Sequence, residues 1–228
     1  MGFFRGPKIV TDGLVLTLDA SSQRSYPGSG TTWYDLSGNG NNGTLTNGPT
    51  FDSGNGGSIV FDGTNDYVSI TNLGFSSHTI EGWFNSSDGS QGGASYDTIV
   101  SIFGNYDGGS SKYTYIGLIP NLTFRIDNGV VSHREIATVS YSANTWYHVA
   151  LTYNATSGTT RAYVNGDQVG SIASTTSITF DSIPYNMAKT QPNVYFDGLI
   201  ASSKTYNRAL SANEISQNYN AQKSRFGL

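Results

Sequence analysis

The strongest constraint on the fold is a run over residues 146–153 in which large apolar side chains alternate with smaller or polar ones. One face of an extended chain would carry Tyr147, Val149, Leu151 and Tyr153. Two further runs, 160–164 and 168–172, flank Asn165-Gly166, a dipeptide that favours a type I′ hairpin turn. The pattern therefore predicts antiparallel strands joined by tight turns.

Similar short runs recur along the chain, each bounded by residues that favour turns. With 28 Gly, 13% aromatic residues and only 12% charged residues, the composition suits antiparallel strands. Long surface helices would need more Lys, Arg and Glu. The other predicted strands are 14–19, 44–45, 58–61, 67–70, 78–84, 98–103, 113–118, 122–127, 135–140 and 194–206.

One segment departs from this pattern. Ser211 and Glu214 have the spacing of a capping box, which predicts a helix from Ala212 to about Ala221. Many short strands followed by one helix predict an all-β fold, an antiparallel two-sheet jelly-roll sandwich with one short C-terminal helix. We expect an N-terminal arm at 1–12 and a single domain at 13–228.

Charge and cysteine content exclude several classes of function. A formal net charge of −4 disfavours a phosphate-binding surface, so no nucleic-acid partner is expected. No apolar run approaches the length of a membrane span, so no membrane partner is expected either. With no Cys, the chain has neither disulfides nor thiolate zinc sites nor a Cys nucleophile.

The titratable residues also argue against catalysis. The three glutamates, Glu81, Glu135 and Glu214, are far apart in the sequence, and Glu214 is already explained by the capping box. No Glu-x-Asp-x-x-Glu arrangement of the kind that would pair carboxylates for glycoside hydrolysis occurs. The three histidines do not have the spacing of a zinc motif. We expect that the protein is not an enzyme.

Three separated blocks, 33–43, 61–68 and 196–215, combine aromatic residues with Asp, Asn and Gly. In this order they resemble the laminin-G-like branch of the concanavalin A-like lectin/glucanase jelly rolls, over roughly residues 12–228. The resemblance implies a lectin-like sandwich. It also implies that His148, which matches a strand motif of the family, packs and forms hydrogen bonds within the sheet.

The resemblance further implies calcium as a cofactor, since laminin-G-like relatives often bind it near such loops. The candidate ligands are oxygen-bearing side chains on turns, namely Asp35, Asn39, Asn41, Asp62, Asp66 and Asp197. A second interpretation is that these residues only form Asx-turns and tight hairpins. The chain also departs from the family, because Ala201-Ser202-Ser203 stands where relatives commonly carry an acidic pair.

Glycan binding is a second expectation. Tyrosine rings stack on the C–H faces of sugars, and Asn or Asp oxygens accept protons from sugar hydroxyls. The candidate residues lie in loops rich in Gly and Ser and are Tyr96, Asn105, Tyr106 and Asp107. Packing or turn cover is the alternative role for any one of these aromatic residues.

The segment 206–226 is similar to the C-terminal ends of laminin-G-like structural proteins of tailed phages, cyanophages especially. This resemblance implies a virion surface protein that decorates a capsid or forms part of a tail or fibre. The opening residues lack the apolar core of a secretion signal, so we expect that the protein, if full length, leaves its cell by lysis or as part of an assembly, or stays inside. The expected particle contact is the N-terminal arm, through Phe3, Phe4, Arg5 and Lys8; alternatively, the arm packs on its own domain.

The expected partners are therefore other virion proteins, a surface glycan and, as a further option, a second copy of the chain. The alternative function is an extracellular lectin domain, free or attached to an enzyme, that binds carbohydrate with the help of calcium. The expected location is the virion or, under the alternative, the extracellular space.

Overall fold

In the residues that the structure, a computed structural model, describes, two large antiparallel sheets pack face to face and a helix lies near the C-terminal end. It describes residues 7–71, 73–74, 76–89, 91, 100–104, 112–119, 121–128, 134–173, 185–190 and 194–228. The predicted fold class, an all-β sandwich with one short helix at its end, is confirmed.

The first sheet is centred on two long neighbouring strands. Across the sheet its strands are β14 (Asp167–Ala173), β13 (Thr159–Val164), β12 (Trp146–Asn154), β7 (His78–Ser86), β18 (Asp197–Tyr206), β5 (Ser58–Asp62) and β4 (Thr50–Asp52). An eighth strand, β1 (Leu14–Asp19), pairs with the second half of β18, beyond the part that pairs with β5.

The second sheet also has eight strands. In order they are β11 (Arg134–Val139), β10 (Asn121–Asn128), β9 (Lys112–Ile119), β8 (Val100–Gly104), β15 (Tyr185–Met187), β6 (Tyr67–Ile70), β3 (Gly43–Thr46) and β2 (Thr32–Trp33). A small separate hairpin joins β16 (Lys189–Thr190) to β17 (Val194–Tyr195).

The main core fills the space between the sheets. Phe84 and Leu151 from the first sheet and Ile116 and Phe124 from the second are completely buried in it. The predicted alternation of β12 is confirmed, because Val149, Leu151 and Tyr153 belong to this core while His148 lies on the opposite face.

The predicted hairpin turn is confirmed as well. Asn165 and Gly166 have φ angles of 50° and 85°, and a type I′ turn requires positive φ at both central residues. Glycine is also required because a Cβ at Gly166 would lie 2.9 Å from the ring of Tyr219, so the turn touches the helix.

The helix α1 (Ala212–Gln222) begins with the predicted capping box: the Ser211 side chain accepts a hydrogen bond from the Glu214 amide, and the Glu214 side chain reaches back to the Ser211 amide. Ile215 is buried against the outer face of the first sheet. Tyr219 stacks on Trp83 with ring centroids 5.7 Å apart. A third layer therefore covers part of this sheet.

The segment after the helix forms a short 3₁₀ turn, Lys223–Phe226. Phe226 also stacks on Trp83, with ring centroids 4.1 Å apart. In the described part of the chain, no helix has the length and apolar character needed to cross a membrane.

Candidate functional site

The six predicted calcium ligands fall into two separate groups. Asp35, Asn39 and Asn41 lie on the loop after β2, whereas Asp62, Asp66 and Asp197 lie where β5 ends and β18 begins. Asp35 binds the amide of Thr17, which pairs with Lys204, while Asp62 pairs with Asp197. Lys204 and Asp197 are seven positions apart along β18, which corresponds to about 23 Å. One ion therefore cannot contact both groups.

The carboxylate of Asp35 accepts several hydrogen bonds that hold the turn in place. Oδ1 accepts from the amides of Thr17 and Ser37 at 2.9 and 2.8 Å, and Oδ2 accepts from the Ser37 hydroxyl at 2.6 Å and the Asn41 amide at 3.1 Å. The side chains of Asn39 and Asn41 donate to the carbonyl of Val15 in β1. These contacts are those of an Asx-turn that ties the loop to β1.

The second group, unlike the first, contains a buried carboxyl group. Asp66 is buried, and its pKa is raised by burial first and by the neighbouring charge of Asp62 second. Asp62 accepts a hydrogen bond from the Thr64 amide at 2.8 Å, while the side chain of Asp197 is exposed and its amide donates to Gln91 at 2.9 Å. No cluster of three His, Cys, Asp or Glu side chains suited to a metal is found in the described ranges. Calcium stays a prediction.

Directly after Asp66, an aromatic and cationic patch lies on the outer face of the second sheet. Val68 and Ile70 face the core, so Tyr67 faces outward. The ammonium group of Lys189 lies 4.1 Å from the ring centroid of Tyr67 and 5.9 Å from that of Tyr195. All three side chains are half-buried. We call Tyr67, Lys189 and Tyr195 the Tyr–Lys–Tyr patch.

Further along the same face the side chains are polar and aromatic but buried. Tyr113 and Tyr115 on β9 have ring centroids 5.5 Å apart, and each is at most 2% exposed. On the neighbouring strands, Arg125 lies 3.8 Å from Glu135, whose side chain is 45% exposed. Direct contact with a ligand is therefore more accessible at the Tyr–Lys–Tyr patch.

The predicted glycan-binding residues lie outside the described residues. They are Tyr96, Asn105, Tyr106 and Asp107. The segment 105–111 connects β8 to β9 in the chain. The assignment of these four residues stays a prediction.

The sequence reasoning missed a buried polar cluster beneath α1. The side chain of Glu81 on β7 is completely buried, 3.4 Å from the ammonium group of Lys204 and 3.8 Å from Nε2 of His148. The amide nitrogen of Asn218 donates to both Glu81 oxygens at 3.0 and 3.1 Å, and to the hydroxyl of Tyr206 at 3.0 Å. The alternation over the predicted strand 78–84 indicates that Glu81 faces away from the core, but it does not reveal Lys204 or Asn218 as neighbours.

Burial controls the protonation of this cluster. Desolvation raises the pKa of Glu81, and the Lys204 charge together with hydrogen bonds from Asn218 and Lys204 opposes that rise. Burial lowers the pKa of His148 to about 3, with a further contribution from Lys204. His148 packs in the sheet as expected, but neither ring nitrogen has a hydrogen-bond partner within the described part of the chain.

The other two glutamates have separate roles. Glu214 caps the helix and forms a two-bond ion pair with Arg208, at 2.6 and 3.1 Å, which lowers its pKa to about 2. Glu135 contacts Arg125 on the second sheet, and Glu81 lies under α1 on the first. The three glutamates are thus placed apart, and the expectation that the protein is not an enzyme stays a prediction.

The described end of the N-terminal arm runs beside α1. The amide of Val10, which is buried, donates to Asn218 at 2.7 Å, and the carbonyl of Lys8 accepts from Gln217 at 2.7 Å. Lys8 itself is exposed, whereas Phe3, Phe4 and Arg5 lie outside the described residues. Part of the arm therefore packs on its own domain, and a contact with a particle is left as a prediction for the residues before it.

The chain matches the model of a known family. The laminin-G-type model of the Concanavalin A-like lectin/glucanases superfamily matches residues 62–216. No curated protein sequence matches the chain.

Solved structures with the same fold include a carbohydrate-related domain and toxin domains. Domain 4 of AbnA, a GH43 extracellular arabinanase from Geobacillus stearothermophilus, in complex with arabinotriose, has a TM-score of 0.71 at 16% identity and covers 90% of this chain and 98% of that one. The binding domain of Paraclostridial Mosquitocidal Protein 1 has a TM-score of 0.70 at 20% identity, covering 92% and 52%.

The binding domain of Botulinum Neurotoxin DC in complex with SialylT has a TM-score of 0.69 at 18% identity, covering 93% of this chain and 52% of that one. The chain thus spans about half the length of the two toxin domains. At these identities the likeness shows the fold alone, which is lectin-like.

Proposed function

The chain belongs to the concanavalin A-like lectin/glucanase superfamily, and we propose that it is a non-enzymatic domain that binds a glycan at the Tyr–Lys–Tyr patch. The observation that carries this proposal is the placement of two half-buried tyrosine rings around the Lys189 ammonium group, on the outer face of the second sheet.

The chemistry of the patch suits a sugar. The rings of Tyr67 and Tyr195 offer apolar faces to sugar C–H groups and hydroxyls to sugar oxygens. Lys189 adds three donors, held in place by its contact with the rings. A few polar groups beside aromatic faces is the usual composition of a small-molecule site. Arabinotriose and SialylT in the complexes of two structural relatives support carbohydrate as the ligand class.

The proposal extends to calcium at the neighbouring acidic turn. Asp66 and Asp62 are near enough for one charge to raise the pKa of the other, and a bound cation would relieve that repulsion. Asp197 lies across the strand pairing from Asp62. We expect calcium to raise the melting temperature, and Asp66→Asn to remove that increase. A melting temperature unchanged by millimolar calcium would contradict the extension.

Glycan-array binding of the purified chain tests the proposal. We expect Tyr67→Ala and Tyr195→Ala each to weaken binding about tenfold or more, because each removes a stacking face. Lys189→Gln removes the cation with little change of volume. The matched control is Tyr34→Ala, since Tyr34 is 47% exposed but follows β2, beside the Asp35 turn. Equal binding by all four variants, with unchanged melting temperatures, would refute the assignment of the patch.

We place this domain on the surface of a virion, because segment 206–226 is similar to the ends of tailed-phage structural proteins. An extracellular lectin domain, free or attached to an enzyme, is the second candidate, favoured by the coverage of AbnA domain 4 over nearly its whole length. Sedimentation of the native protein separates them: co-migration with particles at fixed stoichiometry supports the virion, and recovery as a small free species supports the lectin domain.

The N-terminal arm is the proposed particle contact. Deletion of residues 2–6 removes Phe3, Phe4 and Arg5 but keeps Val10, whose amide bonds to Asn218. We expect this deletion to abolish incorporation into particles and to leave the melting temperature unchanged. Normal incorporation of the deletion variant would exclude the arm as the contact.

A further inference from the structure

An amine, a carboxyl group and a carboxamide meet where α1 packs on the first sheet. They belong to Lys204, Glu81 and Asn218. Lys204 is 1% exposed and the other two are completely buried. The Lys204 amine lies 3.4 Å from Oε1 of Glu81, and the Asn218 amide nitrogen lies 3.0 Å from the same oxygen. One carboxyl oxygen thus contacts both the amine and the carboxamide.

Aromatic rings pack beside this cluster. Trp83 is completely buried beside it and stacks on Tyr219 and Phe226. A buried ion pair is expensive in such a place because both charges lose their hydration. Proton transfer from the Lys204 ammonium group to Glu81 leaves a neutral amine and a neutral carboxylic acid, and the amine is then a nucleophile.

We propose that Lys204 and Asn218 become joined by an intramolecular amide bond, with Glu81 as the catalytic residue. The lone pair of the neutral Lys204 nitrogen attacks Cγ of Asn218 and forms the new C–N bond. Glu81 gives its proton to Nδ2 of Asn218, the Cγ–Nδ2 bond breaks, and ammonia leaves. A proton of the attacking nitrogen returns to Glu81. No oxidant or reductant is needed, and the product holds no charge on the lysine.

The hydrogen bonds around Asn218 are those that this step requires. The amide of Val10 donates to Oδ1 at 2.7 Å, so it polarises the carbonyl and stabilises the developing negative charge. Nδ2, the leaving nitrogen, points at Glu81 and is also held by the hydroxyl of Tyr206. The acid therefore already touches the atom that must be protonated.

Gln222 holds the amine on the same face of the helix. Its Oε1 accepts from the Lys204 amine at 2.8 Å, and also from the indole nitrogen of Trp83 at 3.2 Å. Gln222 and Asn218 are four residues apart, one turn along α1 and on the same face of the helix. The amine and the Asn218 carboxamide both contact Oε1 of Glu81, so they are close neighbours. Asn218 is favoured as the acceptor because it, unlike the half-buried Gln222, has both the polarising donor and the acid.

Intact mass of the denatured full chain tests the proposal. We expect a mass about 17 Da below that of the sequence, from the loss of one ammonia. Lys204→Arg keeps the positive charge but is not the amine that reacts, so it should have the full mass of its own sequence. Glu81→Gln should also show the full mass, because it keeps the side-chain shape but lacks the acid. A wild-type chain at the full sequence mass overturns the proposal.

Peptide mapping guards against a second source of ammonia loss, since succinimide can form at Asn-Gly steps such as Asn165-Gly166. We expect trypsin to leave peptides 190–208 and 209–223 joined, because an acylated Lys204 is not cleaved. Fragmentation should place the link on Asn218. A link on Gln222 overturns the acceptor assignment, and a loss of ammonia confined to an Asn-Gly peptide overturns the proposal.

Discussion

At the scale of single residues, the polar side chains with the clearest physical consequences are buried ones. His148 packs beside the rings of Trp83 and Tyr219, at centroid distances of 5.3 and 5.9 Å. Its Nε2 is 3.8 Å from Glu81, yet its pKa is lowered to about 3, chiefly because burial disfavours the imidazolium. The folded protein therefore keeps this imidazole neutral.

Because the folded protein keeps His148 neutral, its stability depends on pH. Between about pH 6 and pH 4 the unfolded chain protonates His148, whose ordinary pKa is 6.5, and the folded chain does not. The unfolded state then binds more protons, so the free energy of unfolding falls as the pH falls. In His148→Phe we expect this dependence to be shallower by about 1.4 kcal/mol per pH unit. Urea unfolding across this pH range measures it.

The slopes of stability against pH must be compared between the wild type and His148→Phe, because two other buried groups also have shifted pKa values. His78 has its pKa lowered to about 4 by burial and contributes in the same direction, while the raised pKa of Glu81 contributes in the opposite direction. Both remain in the variant, so the difference between the two slopes reports His148. Identical slopes would mean that His148 is protonated in the folded protein.

At the scale of elements, α1 is fastened at its start by side chains and along its length by packing on the first sheet. Ser211 and Glu214 satisfy each other's backbone amides, and Glu214 also pairs with Arg208. Further along, Ile215 and Asn218 are buried against the sheet. Capping is local in sequence, whereas the packing depends on strands far away in the chain.

Removal of the cap should therefore weaken the protein modestly. We expect Ser211→Ala to lower the free energy of unfolding by about 1 kcal/mol, because the Glu214 amide loses its acceptor. Asn213→Ala is the matched control, since this residue is exposed two positions into the helix and should change stability by less than about 0.5 kcal/mol. Equal losses for both variants would show that the cap contributes nothing measurable.

At the scale of the whole molecule, the packing of the two sheets against each other depends on a glycine. Gly82 on β7 faces Phe103 on β8, and a Cβ at this position would lie 2.6 Å from the carbonyl oxygen of Ser202 and nearer still to the Phe103 ring. Neither the backbone of β18 nor a completely buried ring can move away easily. Gly82 thus helps to set the spacing of the sandwich.

A methyl group at this position should force the sheets apart. We expect Gly82→Ala to lower the free energy of unfolding by about 3 kcal/mol, through overpacking. Gly89→Ala is the control, because the nearest atom to its added Cβ, the amide nitrogen of Ala143, would be 3.4 Å away. Thermal or urea unfolding compares them, and a Gly82→Ala protein as stable as Gly89→Ala would show that the sheets can adjust.

Features that depend on neighbours in the chain could be predicted from the sequence. The alternation in β12, the positive φ angles of Asn165-Gly166 and the Ser211 capping box all arise from contacts within a few residues, and all three were confirmed. The fold class followed from them, since strands of this length must bury one face against a second sheet.

Features that depend on distant pairings required the tertiary structure. From the sequence alone, Asp35 and Asp62 belonged to one set of ligands. Asp35 binds Thr17 of β1, whereas Asp62 is in β5, and the positions of β18 that pair with Thr17 and Asp62 are about 23 Å apart. Likewise Glu81 and Lys204 are separated by more than a hundred residues, and only their pairing on adjacent strands makes them neighbours. The sequence by itself determined the strands, the turns and the cap, because local sterics and hydrogen bonds act over a few residues. Only the tertiary structure decided which polar groups meet, because strand register and burial are properties of the assembled sheets.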